Sequence, residues 1–165
     1  MKSFRIAKMK SKNCFLRLLH LIVTNALTSQ RTVSDLTALL KRIFAYFNHL
    51  LLACSRMREI QLNLGKPEKK LIQDVATCWN STYYMLERLQ EQKDAVSLYA
   101  AEFGDITNLT VNQWMILQKT LDLLKPFETI TKEVSSAKFI ISVVLPMVAN
   151  LKLYLSKPSE HFSGV

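Results

Sequence analysis

The chain has 165 residues, with 22 Lys and Arg against 13 Asp and Glu for a formal net charge of +9, 49% hydrophobic residues, and only 3 Gly and 4 Pro. An apolar half with 21% charged residues suits a packed core and excludes wholesale disorder, collagen-like repeats and Pro/Gly low-complexity sequence. So few turn formers also argue against a sandwich or barrel, which needs punctuation about every 8–12 residues, and leave long helices.

The first 13 residues form a basic segment, and the charge stays lopsided beyond it. Residues 1–70 carry 14 basic and 3 acidic side chains (+11), whereas residues 71–165 carry 8 and 10 (−2). Lys2, Arg5, Lys8, Lys10, Lys12, Arg17 and Arg31 all precede the first acid, Asp35. A block of this kind attracts polyanions through its summed field and through counterion release, and it also fits a solvated basic face. From Cys14 to Leu27 the apolar density (Phe15, Leu18, Leu19, Ile22, Val23, Leu27) predicts a largely buried helix, entered through a short extended segment. Arg17 and His20 interrupt it, and it is too short to span a bilayer, so neither a secretory signal nor a membrane anchor is expected. A mitochondrial presequence, basic and acid-free, stays open as an alternative.

Thr32-Val33-Ser34-Asp35 has the spacing of a capping box. It precedes an amphipathic helix, or a pair of them, carrying Leu36, Leu40, Ile43, Phe44, Phe47, Met57 and Ile60, which Gly65 and Pro67 stop. Lys41, Arg42, Arg56 and Arg58 lie along this element, and Lys66, Lys69 and Lys70 just past its end. Residues 70–75 read as a short strand or extended connection. A helix is predicted over 81–103, with Glu87, Glu91, Lys93 and Asp94 on its wet face and Gly104 closing it. Thr110 is placed to cap the next helix, which Pro126 should kink or restart. The run from Val134 to Leu155 is nearly continuously apolar and predicted to be buried. Pro146 and the β-branched residues before it make a short strand a competitor there. Residues 156–165 read as a tail.

Chemistry is sparse. With Gly only at 65, 104 and 164, no GxGxxG, P-loop or GxSxG elbow can be written. Cys14, Cys54 and Cys78 are odd in number and widely spaced, which suits reduced thiols, and His20, His49 and His161 do not complete a zinc site with them. Asp74, Glu128 and Glu133 are acids that a carboxylate metal cage could draw on, but their spacing does not recommend one. No metal or other cofactor is expected.

One stretch, Leu71 to Leu89 (LIQDVATCWNSTYYMLERL), resembles the D-V-x-T-R-W-N-S-T-Y-x-M-L-x-R segment of hAT-superfamily transposases and of the zinc finger BED domain-containing proteins derived from them. Cys14-Phe15 and the run to Leu27 are similar to the family's C-x-x-H helix, and Arg56-Met57-Arg58-Glu59-Ile60-Gln61 to its L-R-E-I-Q stretch. Leu123 to Ser135 is similar to L-L-K-P-F-E-x-x-T-K-E-x-S, and Ile141 to Met147 to the following I-S-L-V-I-P. The resemblance runs over residues 14–155. It departs at Arg17, where the family has the His of C-x-x-H, and at Cys78, where it has an Arg able to hold a phosphate with two hydrogen bonds.

The resemblance implies a mainly α fold: a helical fragment of a ribonuclease-H-like core with its helical insertion, holding at most one or two short strands. It places the family's catalytic Asp, Asp and Glu in regions outside this stretch, so no enzymatic activity is expected, and Asp74 does not match a catalytic position. It also implies that Trp79, at a position associated with stacking on a base near the transposon end, either contacts DNA or packs at the start of a helix. The expected partner is DNA, bound with little sequence specificity and with salt sensitivity through Lys41, Arg42, Arg56, Arg58, Lys66, Lys69, Lys70 and Trp79, in the nucleus, with the cytoplasm as the alternative. The competing readings are a helical protein-interaction or homo-oligomerisation module and a truncated gene product without a selected function.

Overall fold

The computed structural model describes residues 2–71, 79–136 and 140–156, with side chains from Asn13 onward and Ile141 excepted. Seven α-helices make up the described residues, and no strand occurs among them: α1 (Lys2–Ser29), α2 (Arg31–His49), α3 (Leu51–Asn63), α4 (Trp79–Glu91), α5 (Lys93–Phe103), α6 (Val111–Ser135) and α7 (Val144–Ser156), the last preceded by a 3₁₀ turn (Ile141–Val143). The chain divides into two compact units. One is Leu27–Leu121; the other combines the first part of α1 with the segment from Asp122 onward. The candidate strand at 70–75 lies outside the described residues from 72 on, and residues 157–165 of the expected tail do too.

The unit Leu27–Leu121 owes its core to helical periodicity. On α2, Leu36, Leu40, Ile43, Phe44 and Phe47 are buried at i, i+3, i+4 spacing. On α3 the stripe is Ala53, Met57 and Ile60, and α3 packs against both α2 and α5. From α5 come Ala95, Val96 and Tyr99, and α4, which packs beside α5, adds Met85, Leu86 and Leu89. Each large apolar side chain so buried contributes about 1.5–3 kcal/mol of transfer free energy. An aromatic cluster marks the centre. Phe47 and Tyr99 meet edge to face with centroids 4.9 Å apart, and Tyr99 lies 4.8 Å from Phe103.

Helix ends explain where the elements stop. Leu50 takes an extended conformation (φ −113°, ψ 104°) and, of the two alternatives of one helix or a pair, makes the pair α2 and α3 without any Gly or Pro. After α3, Gly65 (φ +64°) sits in the left-handed region. Its N–H bonds Leu62 O at 2.9 Å and Lys66 N–H bonds Gln61 O at 2.8 Å, the paired bonds of a Schellman stop. Gly104 (φ 66°) ends α5 as expected. The predicted single helix over 81–103 is instead interrupted at Gln92, which separates α4 from α5. Thr110 caps α6 reciprocally: Gln113 N–H donates to Thr110 Oγ1 (3.2 Å) and Thr110 N–H to Gln113 Oε1 (2.8 Å). By contrast Thr32 caps nothing. Helix α2 starts two residues earlier than that cap would place it, after Gln30, without a side-chain cap, and Asp35 pairs with Arg31 (3.9 Å) one turn away.

In the other unit, α1 is one helix from Lys2, with no extended entry. Burial in its apolar stretch is confined to a stripe: Leu19 and Val23 are covered, whereas Leu18, Leu21 and Ile22 are exposed. Pro126 lies within α6 and does not restart it. Proline has no N–H to offer the Asp122 carbonyl four residues back, and the Tyr154 hydroxyl of α7 donates to that oxygen at 2.9 Å. The segment before Pro146, where a short strand competed with helix, is a 3₁₀ turn running into α7. Pro146 falls in the first turn of α7, where backbone N–H groups have no intrahelical acceptor to lose. Of the run expected to be buried, Val134 is buried, Phe139 lies outside the described residues, and α7 has no buried residue, with Leu145 80% exposed.

Candidate nucleic-acid interface

The basic residues singled out from sequence fall into two sets within the unit Leu27–Leu121. The first lies on α2, where Arg31, Lys41 and Arg42 are exposed. Arg31 and Arg42 are eleven residues apart, so at about 100° per residue they lie within roughly 20° of each other on the helix surface. Leu40, Ile43 and Phe44, buried on the opposite stripe, fix which way this face points.

On α2, Arg31 has a carboxylate in reach, Asp35 at 3.9 Å, whereas most of the second set, Arg56, Arg58, Lys66 and Lys69, is engaged by carboxylates. Arg56 stacks over the Phe103 ring (4.3 Å to the centroid) and stands 3.9 Å from Asp105. Arg58 pairs with Glu68 at 3.2 Å. Lys69 pairs with Glu91 at 3.0 Å, and the same carboxylate oxygen is 3.5 Å from Arg88. Lys66 pairs with Asp94 and reaches the Glu91 backbone carbonyl at 3.4 Å. The Lys66 ammonium holds the Asp94 carboxyl below the usual carboxylate range. Lys70 is exposed at the end of this segment.

A buried amide pair anchors the segment from Lys66 to Lys70. Gln61 and Gln92 are each 2% exposed. Gln61 Nε2 donates to Gln92 Oε1 (3.0 Å) and to Lys69 O (3.0 Å), while Gln61 Oε1 accepts from Lys69 N–H (3.3 Å). Three polar groups are satisfied by one side chain, and the main chain of Lys69 is thereby pinned to the junction of α4 and α5. Sequence reasoning placed Gln61 in a motif without assigning it a task. The polar residue on an otherwise apolar stripe was the available signal.

A comparable network ties α2 to the turn after α5. Tyr46 Oη donates to Asp105 Oδ2 (2.9 Å) and lies 3.1 Å from the Tyr99 hydroxyl. The Tyr99 hydroxyl, burial and the Asp105 carboxylate together push the Tyr46 phenol well above its usual range. Tyr46 stays neutral at any physiological pH.

Trp79 opens α4 and is 5% exposed, so it presents little ring surface to a base in this conformation. Cys14 is exposed on α1, and Cys54 donates its thiol hydrogen to Phe47 O (2.7 Å). Asp74 and Cys78 lie outside the described residues. Glu128 is buried against Lys132 at 2.6 Å, and Glu133 is exposed. Among the described residues no three His, Cys, Asp or Glu side chains come together as a metal cage, and no helix is long and apolar enough to cross a membrane.

Residues 12–123 match the family model described as the ZBED1 RNase-like helical domain. The chain is 32% identical to human zinc finger BED domain-containing protein 4 over 99% of its own length and 14% of that protein. It is 30% identical to human zinc finger BED domain-containing protein 6 over 90% of its length and 15% of that relative, and 29% identical to the mouse protein 6 over the same shares. The chain thus spans about a seventh of the length of these relatives. No solved structure matches it. With a family model covering most of the chain and motifs from Cys14 to Met147 in the same order, this helical protein belongs to the hAT-like, zinc finger BED domain-containing family.

Proposed function

We propose that this chain is a non-catalytic, hAT-derived DNA-binding segment that contacts the phosphate backbone of duplex DNA through basic side chains of its first 70 residues, in the nucleus. The observation that carries the reading is the segregation of charge, +11 over residues 1–70 against −2 over the remainder. It is supported by the exposed face of Arg31, Lys41 and Arg42 on α2 and by membership in a family whose members are named for a zinc finger. Lysine and arginine on a helix surface neutralise phosphates without reading bases, so the binding is salt-sensitive and weakly specific. Trp79 is assigned to packing at the start of α4, in keeping with its burial. The test is the affinity for a duplex oligonucleotide at two salt concentrations. Binding at low salt that weakens steeply at high salt is expected, and no binding at low salt overturns the proposal.

A second reading rests on a separate observation. Leu145, Leu153, Tyr154 and Leu155 of α7 and Leu18, Leu21 and Ile22 of α1 are exposed, and apolar surface of this kind suits contact with another protein surface or a second copy. Light scattering over a range of concentrations tests it; a mass that stays monomeric counts against self-association.

A further inference from the structure

The lysines between α3 and α4 do not face solvent as a bare cationic strip. Lys66 is 26% exposed at its side chain, against 66% for Asp94, and Lys69 is 36% exposed against 41% for Glu91. The two carboxylates stand where a phosphate would have to come. Glu91 takes Lys69 and Arg88 on one oxygen, and its backbone carbonyl also receives Lys66. This arrangement is built in rather than incidental, because Gln61 and Gln92 fix the Lys69 main chain against the start of α5 from inside the core. The Lys69 side chain therefore begins next to Glu91, and the Lys66 main chain is held at the same helix end by its N–H bond to Gln61 O (2.8 Å).

We infer that Glu91 and Asp94 set the DNA affinity of this segment by competing with phosphate for Lys66 and Lys69, so that the two acids are affinity-determining residues of the interface. The inference rests on the DNA-binding reading above and deepens it. A phosphate gains these two cations only by displacing a carboxylate from each. Both pairs are partly wet and individually weak, so the competition is reversible and responsive to salt.

The experiment compares the wild-type chain with Glu91→Gln/Asp94→Asn, using a duplex oligonucleotide over a salt series. The amide variants keep side-chain shape and remove charge. Affinity at low salt should tighten about fivefold. The plot of log affinity against log salt should steepen by about 1.8, at about 0.9 for each added phosphate contact. Glu59→Gln/Glu102→Gln changes net charge on the same unit equally but removes exposed acids that are not the partners of Lys66 and Lys69, and it should leave the slope unchanged. The gain should vanish when Lys66→Gln/Lys69→Gln is added. If the double amide variant unfolds, Asp94→Asn alone carries the test, with a slope steeper by about 0.9. Wild-type binding with no steepening in the amide variant, or a gain that survives loss of both lysines, overturns the inference while leaving DNA binding intact. Failure of every variant and of the wild type to bind at low salt removes the DNA-binding reading itself.

Discussion

Replacing Gln61 by Leu tests the claim that one buried amide organises the basic segment. The side chain makes three hydrogen bonds, two to the Lys69 main chain and one to Gln92. Loss of the amide leaves Gln92 Oε1 without that donor in a site 2% exposed, which costs about 1–3 kcal/mol. The two Lys69 groups are closer to solvent, and water recovers much of their loss, so they add about 1 kcal/mol together. The sum, about 2–4 kcal/mol, is measurable by urea unfolding. The probe is tryptophan fluorescence, since Trp79 and Trp114, 5% and 6% exposed, both report on the unit Leu27–Leu121. The double variant Gln61→Leu/Gln92→Leu leaves neither amide stranded. It should therefore lose less than the two single variants added together, by about 1 kcal/mol or more. A single variant within about 0.5 kcal/mol of wild type, or strictly additive losses, would show that the pair does not hold the segment.

Other substitutions probe separate links. Tyr46→Phe takes away the group beside the buried Tyr99 hydroxyl and should cost about 1–3 kcal/mol, whereas Tyr99→Phe leaves Tyr46 bonded to Asp105 and should cost about 1 kcal/mol; both are read by denaturant midpoint. Gly104→Ala, at φ +66° with open space around a new Cβ, should lose about 1–2 kcal/mol from backbone conformation alone, and Thr110→Ala about 1 kcal/mol from the cap of α6. Asp94 has a carboxyl pKa held below its ordinary value by Lys66. The unfolded chain therefore binds the proton first as pH falls, and the stabilisation from the pair is present above the ordinary carboxylate pKa of about 4 and lost below it. An acid titration followed by circular dichroism should show Asp94→Asn losing less stability than wild type below about pH 4.

Several features were legible because they depend on neighbours in the chain. Gly65 and Gly104 stop helices where a left-handed residue is needed, and Thr110 with Gln113 has capping-box spacing. The core stripes of α2 and α3 follow from period alone. Leu50 breaks a helix with no residue that announces it, and Pro126 does not break one: the Asp122 carbonyl it leaves without a donor is met by Tyr154, thirty-two residues beyond Asp122. Thr32 had the right spacing for a cap, yet α2 begins at Arg31. In α1 and α7 apolar density pointed to burial, but density says nothing of what lies opposite, and Leu18, Ile22, Leu145 and Leu153 are exposed. The basic residues were readable as candidates from composition. Their pairing was not, because the acids that engage Lys66 and Lys69 lie 28 and 22 residues away, on α5 and at the end of α4. The Gln61–Gln92 bond, 31 residues apart, was hidden for the same reason.

The salt dependence of duplex DNA affinity, measured for the whole chain beside Arg31→Gln/Lys41→Gln/Arg42→Gln, tests the central claim most directly. Binding at low salt is predicted, with a slope that is shallower in the triple variant by up to about 2.7, one step of about 0.9 for each phosphate contact removed. Absence of binding at low salt, or binding with the same slope in both proteins, would contradict the account.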